Sequence, residues 1–179
     1  MTRIYGVTGM PLSGKTAVAD FMEELGYTKL DMGDVVRIEM EKRGIAPGNE
    51  GEFVNSMRDE HGMDAIAMLS TPYLEEMVDE REKIVITGMR GWSEKEKFEK
   101  ETGEDMDIIA VWAPRETRKK RRDERRREED VEGQGFEERD EREIENGVAK
   151  LMSLSDHMIK NDGITMDELR EEVEKIVSK

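Results

Sequence analysis

The chain has 179 residues, 35% hydrophobic and 41% charged, which suits one buried core better than a disordered tail. Its net charge of −15 argues against a general nucleic-acid or anionic-lipid surface, and the absence of cysteine excludes disulfides and thiolate metal sites. The longest apolar runs stop far short of a membrane span, and no charged stretch followed by an apolar one opens the chain.

In chain order, the first apolar run is Ile4 to Val7, and a shorter extended piece follows at Thr28 to Leu30. A helical pattern over Met63 to Glu80 contains Pro72, whose missing N–H predicts a break or kink. Further apolar runs stand at Ile84 to Ile86, Ile108 to Trp112 and, more weakly, His157 to Ile159. Ser93 with Glu96, and Thr165 with Glu168, fit the capping box that opens helices. In the last helix Met166, Leu169, Val173, Ile176 and Val177 form an apolar stripe, with Glu171, Glu172 and Glu174 facing water. Near-continuous apolar strands are buried on both faces, and strands alternating with helices imply right-handed crossovers. The expectation is a three-layer α/β fold with a five-stranded parallel sheet, forming one domain over residues 1–179.

Directly after the first strand, Gly9-Met10-Pro11-Leu12-Ser13-Gly14-Lys15-Thr16 satisfies G-x-x-x-x-G-K-[ST] and opens a helix through Ala17. In such a loop glycines let the backbone curl so that N–H groups point at phosphate, and the helix N-terminus adds about half a positive charge. Lys15 then bridges the β- and γ-phosphates, and the Thr16 hydroxyl serves Mg²⁺. The ligand expected is ATP with Mg²⁺, which also points to a cytoplasmic protein. No N-K-x-D segment for reading guanine appears.

Positive charge is concentrated in one place: nine basic residues stand against three acidic ones between Arg115 and Arg127. A polyphosphate ligand would require this, yet a solvated, salt-bridged helix has the same composition, and for Arg118, Arg121 and Arg125 the two readings balance. His61 and His157 cluster with nothing at metal-ligand spacing. Trp92 and Trp112 read as core or edge of core, and the methionines as gap-filling apolar residues.

Two segments resemble nucleoside monophosphate kinases. Met32-Gly33-Asp34-Val35-Val36-Arg37 is similar to the G-D-x-x-R segment of adenylate kinases, which implies that Arg37 binds an acceptor phosphate and that Asp34 lies near the metal. Ile86-Thr87-Gly88-Met89-Arg90 resembles the strand-end D-G-x-x-R segment, with spacing one residue shorter, and implies Arg90 as a second acceptor arginine. Thr87 replaces the usual aspartate and leaves Asp34 and Asp31 as candidate acids. Arg127-Glu128-Glu129-Asp130 followed by Arg139 resembles the adenylate-kinase lid, in which arginines offset charge on the transferring phosphoryl group.

The whole chain most resembles an archaeal dephospho-CoA-kinase-like P-loop family. That resemblance rests on the phosphate loop, Met32 to Arg37, the arginine run, Phe136 to Glu143 and Asp156-His157-Met158-Ile159-Lys160-Asn161-Asp162-Gly163. It implies a nucleotide kinase with catalytic Lys15, Asp34, Arg127 and Arg139, an adenine near Asn161 and Gly163, a helical acceptor-binding insertion at residues 34–80 and a lid at residues 115–142. The implied partners are ATP and a nucleotide-like acceptor, either dephospho-CoA or a nucleoside monophosphate. No membrane or nucleic-acid partner is expected, and a homodimer is left open. The competing readings are a hydrolytic ATPase and a nucleotide-binding regulatory module without kinase activity, associated with RNA through the arginine run.

Overall fold

A computed structural model describes residues 2–125 and 135–178. Five strands, β1 (Arg3–Thr8), β2 (Thr28–Asp31), β3 (Lys83–Thr87), β4 (Met106–Trp112) and β5 (His157–Lys160), form a sheet in the order β2-β3-β1-β4-β5. Every pairing is parallel. Burial on both faces explains why these strands read as unbroken apolar runs, Ile84, Val85 and Ile86 all being inaccessible to solvent. Gly6, at the centre of β1, is a poor strand former that makes room. A Cβ there would come within 2.7 Å of Met89 Sδ and 2.8 Å of Ile108 Cδ1.

One face of the sheet carries α2 (Met32–Lys42), α3 (Glu50–His61), α4 (Ala65–Glu80), α5 (Trp92–Thr102) and α8 (Val148–Ser153). Ile4, Leu30, Ile84, Ile86 and Ile108 pack there against Val35, Phe53, Leu74, Phe98 and Leu151. The other face carries α1 (Lys15–Glu24) and α9 (Met166–Val177), where Val7, Val85, Ile109 and Val111 meet Val18, Met22, Leu169 and Val173. The α/β layers and the five-stranded parallel sheet are those expected. The strand running into the phosphate loop is central, so the loop opens at the carboxyl end of the sheet between β3 and β4, where open α/β sheets take ligands.

Two local expectations are corrected, and of the break or kink expected at Pro72 the break is absent. The helix runs without a break through Pro72, because buried Ala67, Ser70 and Leu74 hold both halves against the core, while the Ser70 and Thr71 hydroxyls donate to the carbonyls of Ile66 and Ala67. The α5 start is capped by Glu94, not by Ser93 with Glu96: its carboxylate accepts the N–H groups of Arg90 at 2.7 Å and Gly91 at 3.0 Å. Met166, assigned to the apolar stripe of α9, is 57% exposed, so the buried stripe begins at Leu169. The Thr165–Glu168 box forms as expected.

Candidate functional site

The loop between β1 and α1 is shaped by positive φ angles. Leu12, at φ 65°, is the only non-glycine in the left-handed region among the described residues, and Gly14 follows at φ 103°. A left-handed leucine costs about 1–2 kcal/mol, a strain that marks a functional turn when its surroundings hold it. Alternating backbone of this kind aims successive N–H groups into one concavity, the nest that binds anions. A Cβ on Gly14 would collide with the Asn161 amide, so the glycine is required for close approach as well as for its dihedral angles.

The outer side of the loop is held by residues far away in sequence. Helix α6 (Arg115–Arg125) sends Arg118 Nη1 to the Pro11 carbonyl at 3.2 Å and Arg121 Nη1 to the carbonyls of Leu12 at 3.0 Å and Ser13 at 3.2 Å. Asn161 Nδ2 donates to the same Ser13 carbonyl at 2.8 Å, and Arg121 Nη2 to the Asn161 carbonyl at 2.8 Å. Arg118 is only 5% exposed and also forms a bidentate pair with Asp140 on α7 (Phe136–Glu145), at 2.6 and 2.7 Å. The solvated-face reading therefore fails for Arg118 and is incomplete for Arg121. One ring, Phe136, underlies Arg115, Arg118, Lys119 and Arg122 at 5.1–5.7 Å.

Lys15, half-buried, donates from Nζ to the Met10 carbonyl at 3.2 Å. Burial lowers its pKa from 10.5 to about 8, against the field of Glu143 and with the help of Arg139, Arg90 and Arg118. A folded-state pKa below the unfolded value means that the unfolded chain binds more protons between them. From this group alone, stability should rise as the pH goes from about 8 to 10.5, while below pH 8 the penalty is fully present. A polyphosphate should restore the proton, so binding near pH 8 is expected to take up roughly half a proton. Calorimetry with MgATP in buffers of different ionisation enthalpy measures this uptake; none at pH 8 would contradict it.

Beside the loop lies a cleft of about 680 Å³, in the size range of small-ligand pockets. Its wall brings together Arg37, Arg58, Arg90 and Arg142, the acids Asp31, Glu50 and Glu94, and apolar Met32, Val36, Val54 and Ile66. Arg90 Nε pairs with Glu143 at 3.0 Å. Arg58 donates from Nη1 to Asn146 Oδ1 at 2.9 Å, and burial, with the like charge of Arg90, lowers its pKa. Burial raises the carboxyl of Glu94. Four guanidiniums around one cleft favour an anionic ligand, and the apolar wall favours one with an uncharged body.

Of the residues singled out in the sequence, Gly9, Met10, Pro11, Leu12, Ser13, Gly14, Lys15, Thr16 and Ala17 form the loop and the start of α1, and Arg37 and Arg90 share the cleft. Asp34 is exposed and pairs with Arg37. Asp31 caps α2: its Oδ1 accepts the Asp34 N–H at 3.0 Å, and its Oδ2 accepts the Thr87 hydroxyl at 2.7 Å. The carboxylate missing at Thr87 thus stands one strand away, since Asp31 and Thr87 are register partners. Arg139 is an exposed residue of α7 within the field of Lys15. Arg127 falls outside the described residues. The Asn161 side chain is committed to the phosphate loop, and Gly163 sits in an exposed turn at φ 69°.

Sequence reasoning missed Arg58, Glu94, Asp140 and Glu143. Only Glu94 carried a local signal, three residues after Gly91 at a helix start. Among the described residues no cluster of three acids or histidines could hold a metal by itself, and no helix is long and apolar enough to cross a membrane. The loop fits a Mg²⁺-bound nucleotide through its concave N–H groups, Lys15 and the exposed Thr16 hydroxyl, which would leave most of the metal's ligands to phosphate and water.

Residues 8–145 match an AAA domain. A UPF0200/UPF0201 protein of Archaeoglobus fulgidus is 36% identical over 180 residues, covering 99% of this chain, which spans 55% of that relative's length. A UPF0200 protein of Halobacterium salinarum is 36% identical over 160 residues, covering 89% of this chain and 84% of its own. Among solved structures, TT1252 from Thermus thermophilus has a TM-score of 0.66 at 19% identity, covering 99% of this chain and 97% of that one. A shikimate kinase from Acinetobacter baumannii in complex with shikimate has a TM-score of 0.59 at 16% identity, covering 99% and 94%. At these identities the structural likeness is one of fold.

Proposed function

This chain belongs to the UPF0200 family and carries an AAA domain over residues 8–145, and from that premise we propose that it is an ATP-dependent phosphotransferase. Its acceptor would be nucleotide-like, either dephospho-CoA or a nucleoside monophosphate. The observation that carries the reading is the juxtaposition of a phosphate loop with an arginine-walled cleft, since Arg90 acts on Lys15 and also lines the cleft. A hydrolase needs only water as its second substrate and has no use for a cleft of that size and charge.

In this reading Gly9 to Ala17 hold the nucleotide phosphates, and bound Mg²⁺, served by Thr16, offsets their charge. Lys15 draws its ammonium from the Met10 carbonyl to the phosphates, and Arg139 stabilises charge on the transferring group. Arg37 and Arg90 anchor the acceptor anion. Asp31, oriented by Thr87, is better placed than Asp34 to order water at the strand ends, because Asp34 is tied to Arg37 at the surface. The reaction would form a bond from an acceptor oxygen to the γ-phosphorus and break the bond to the β–γ bridging oxygen, releasing ADP; the acceptor proton leaves to a base or to water.

Arg37→Ala is expected to raise the acceptor KM by about tenfold or more, the loss of one charged hydrogen bond, with the ATP KM within about twofold of wild type. Arg90→Ala should act in the same direction. Steady-state kinetics with the acceptor that most accelerates ADP release checks this. Should both variants lose ATP binding with acceptor KM unchanged, the acceptor site is misplaced.

A further inference from the structure

We infer that Arg118, Arg121 and Asn161 are positioning residues for the phosphate loop, which they grip from behind by the carbonyls of Pro11, Leu12 and Ser13. The inference rests on the functional reading above and deepens it. In a planar trans peptide the C=O and the following N–H point in opposite directions. Donors on the carbonyls of residues 11, 12 and 13 therefore turn the N–H groups of Leu12, Ser13 and Gly14 to the other side. The Ser13 N–H closes a turn on the Met10 carbonyl at 3.2 Å, and the same opposition leaves those of Leu12 and Gly14 to the concave side of the loop.

A half-buried carbonyl needs a donor in any conformation, and a peptide flip here would leave one unpaired at about 1–3 kcal/mol. The arginine fork suits the task, since Arg121 spans the carbonyls of Leu12, Ser13 and Asn161, which a single ammonium cannot match in direction. Arg118 extends the brace. Its other hydrogen-bond partner, Asp140, is on the same helix as Arg139 and Glu143, the two groups of α7 whose fields act on Lys15. Thr117 on α6 adds a bond of 2.6 Å to Asp162, tying α6 to the loop after β5. The start of the arginine run is thus a fixed strut that sets loop, lysine and α7 in one frame, with no need to swing onto phosphate.

The test compares wild type with Arg121→Lys, Arg121→Ala and Asn161→Ala, using Mg²⁺-tripolyphosphate and MgATP as probes in calorimetry. Amide exchange of the segment covering residues 9–17 is followed in the nucleotide-free protein. Expected is a loss of about ten- to a hundredfold for both probes in Arg121→Ala, from charged hydrogen bonds removed. Arg121→Lys should rescue little of it, Asn161→Ala should weaken both probes by a smaller factor, and loop amides should exchange faster in all three variants. Full retention by Arg121→Lys with unchanged loop exchange would make Arg121 a direct charge partner of phosphate and overturn the inference. A loss confined to ATP, with tripolyphosphate bound as before, would place the residue at the base and also overturn it. Should Arg121→Ala not fold, Arg121→Lys and Asn161→Ala carry the same comparison. Wild-type protein that binds neither probe would sink the functional reading itself, whereas variants that bind as wild type would sink only this inference.

Discussion

Lys15→Ala is expected to lower ATP-dependent turnover by about 10²–10³-fold, the usual cost of one lost donor to a developing charge, with no loss of stability at pH 7. The two halves of this expectation share a cause. The ammonium lies in a half-buried site where burial and three arginines disfavour its charge, and its pKa falls from 10.5 to about 8. That shift is an energetic penalty of about 3 kcal/mol, present in the empty protein below pH 8 and relieved when polyphosphate supplies the counter-charge. Removing the side chain removes the penalty along with the ligand contact. Thermal melting at pH 7 should show a midpoint equal to or above wild type, with MgATP affinity down by at least about tenfold. A folded variant that binds MgATP as wild type would remove Lys15 from the site.

Asp140→Ala should give the largest loss of stability, about 3–5 kcal/mol, because it strands a buried guanidinium. The side chains of Arg118 and Asp140 are 6% and 10% exposed, so solvent does little to screen the pair. Arg118 would keep only the Pro11 carbonyl and the Phe136 ring, and its Nε is already buried without a partner among the described residues. For a chain of this length the midpoint should fall by roughly 6–20 °C. The double variant Arg118→Met/Asp140→Leu should recover a good part of that loss, since an apolar pair leaves no charge uncompensated. A melting point for Asp140→Ala within about 2 °C of wild type would contradict the buried-pair argument, and equal losses in single and double variants would assign the effect to packing.

What was legible in the sequence was local. The strand, the glycine-spaced loop and the helix after it follow from neighbours along the chain, as do the apolar runs that become β3 and β4. Short motifs single out Arg37 and Arg90, and the two share one cleft. The remaining site residues depend on contacts that no local pattern encodes. Arg121 meets Leu12 across 109 positions, and Arg58 meets Asn146 across 88. Helix α6 has no large apolar residue to mark a buried face, so nothing distinguished Arg118 from its solvated neighbours; its burial comes from Phe136 and Asp140 on another helix. At α5 two cap registers competed, and the one using Glu94 prevailed because its carboxylate reaches two backbone N–H groups at once. Asp31 lost to Asp34 in the motif because the motif ranks residues by order, while register placed Asp31 beside Thr87.

The central claim is group transfer, and the most direct measurement follows the γ-phosphoryl group of labelled ATP. The protein is incubated with γ-labelled ATP and Mg²⁺, alone and with dephospho-CoA or each common nucleoside monophosphate, and the products are separated. Expected is label on one acceptor, in equal amount to the ADP formed and at a rate far above ADP release without acceptor, with both signals lost in Lys15→Ala. Label appearing only as inorganic phosphate, at a rate no acceptor changes, would contradict phosphotransfer and leave a hydrolase in its place.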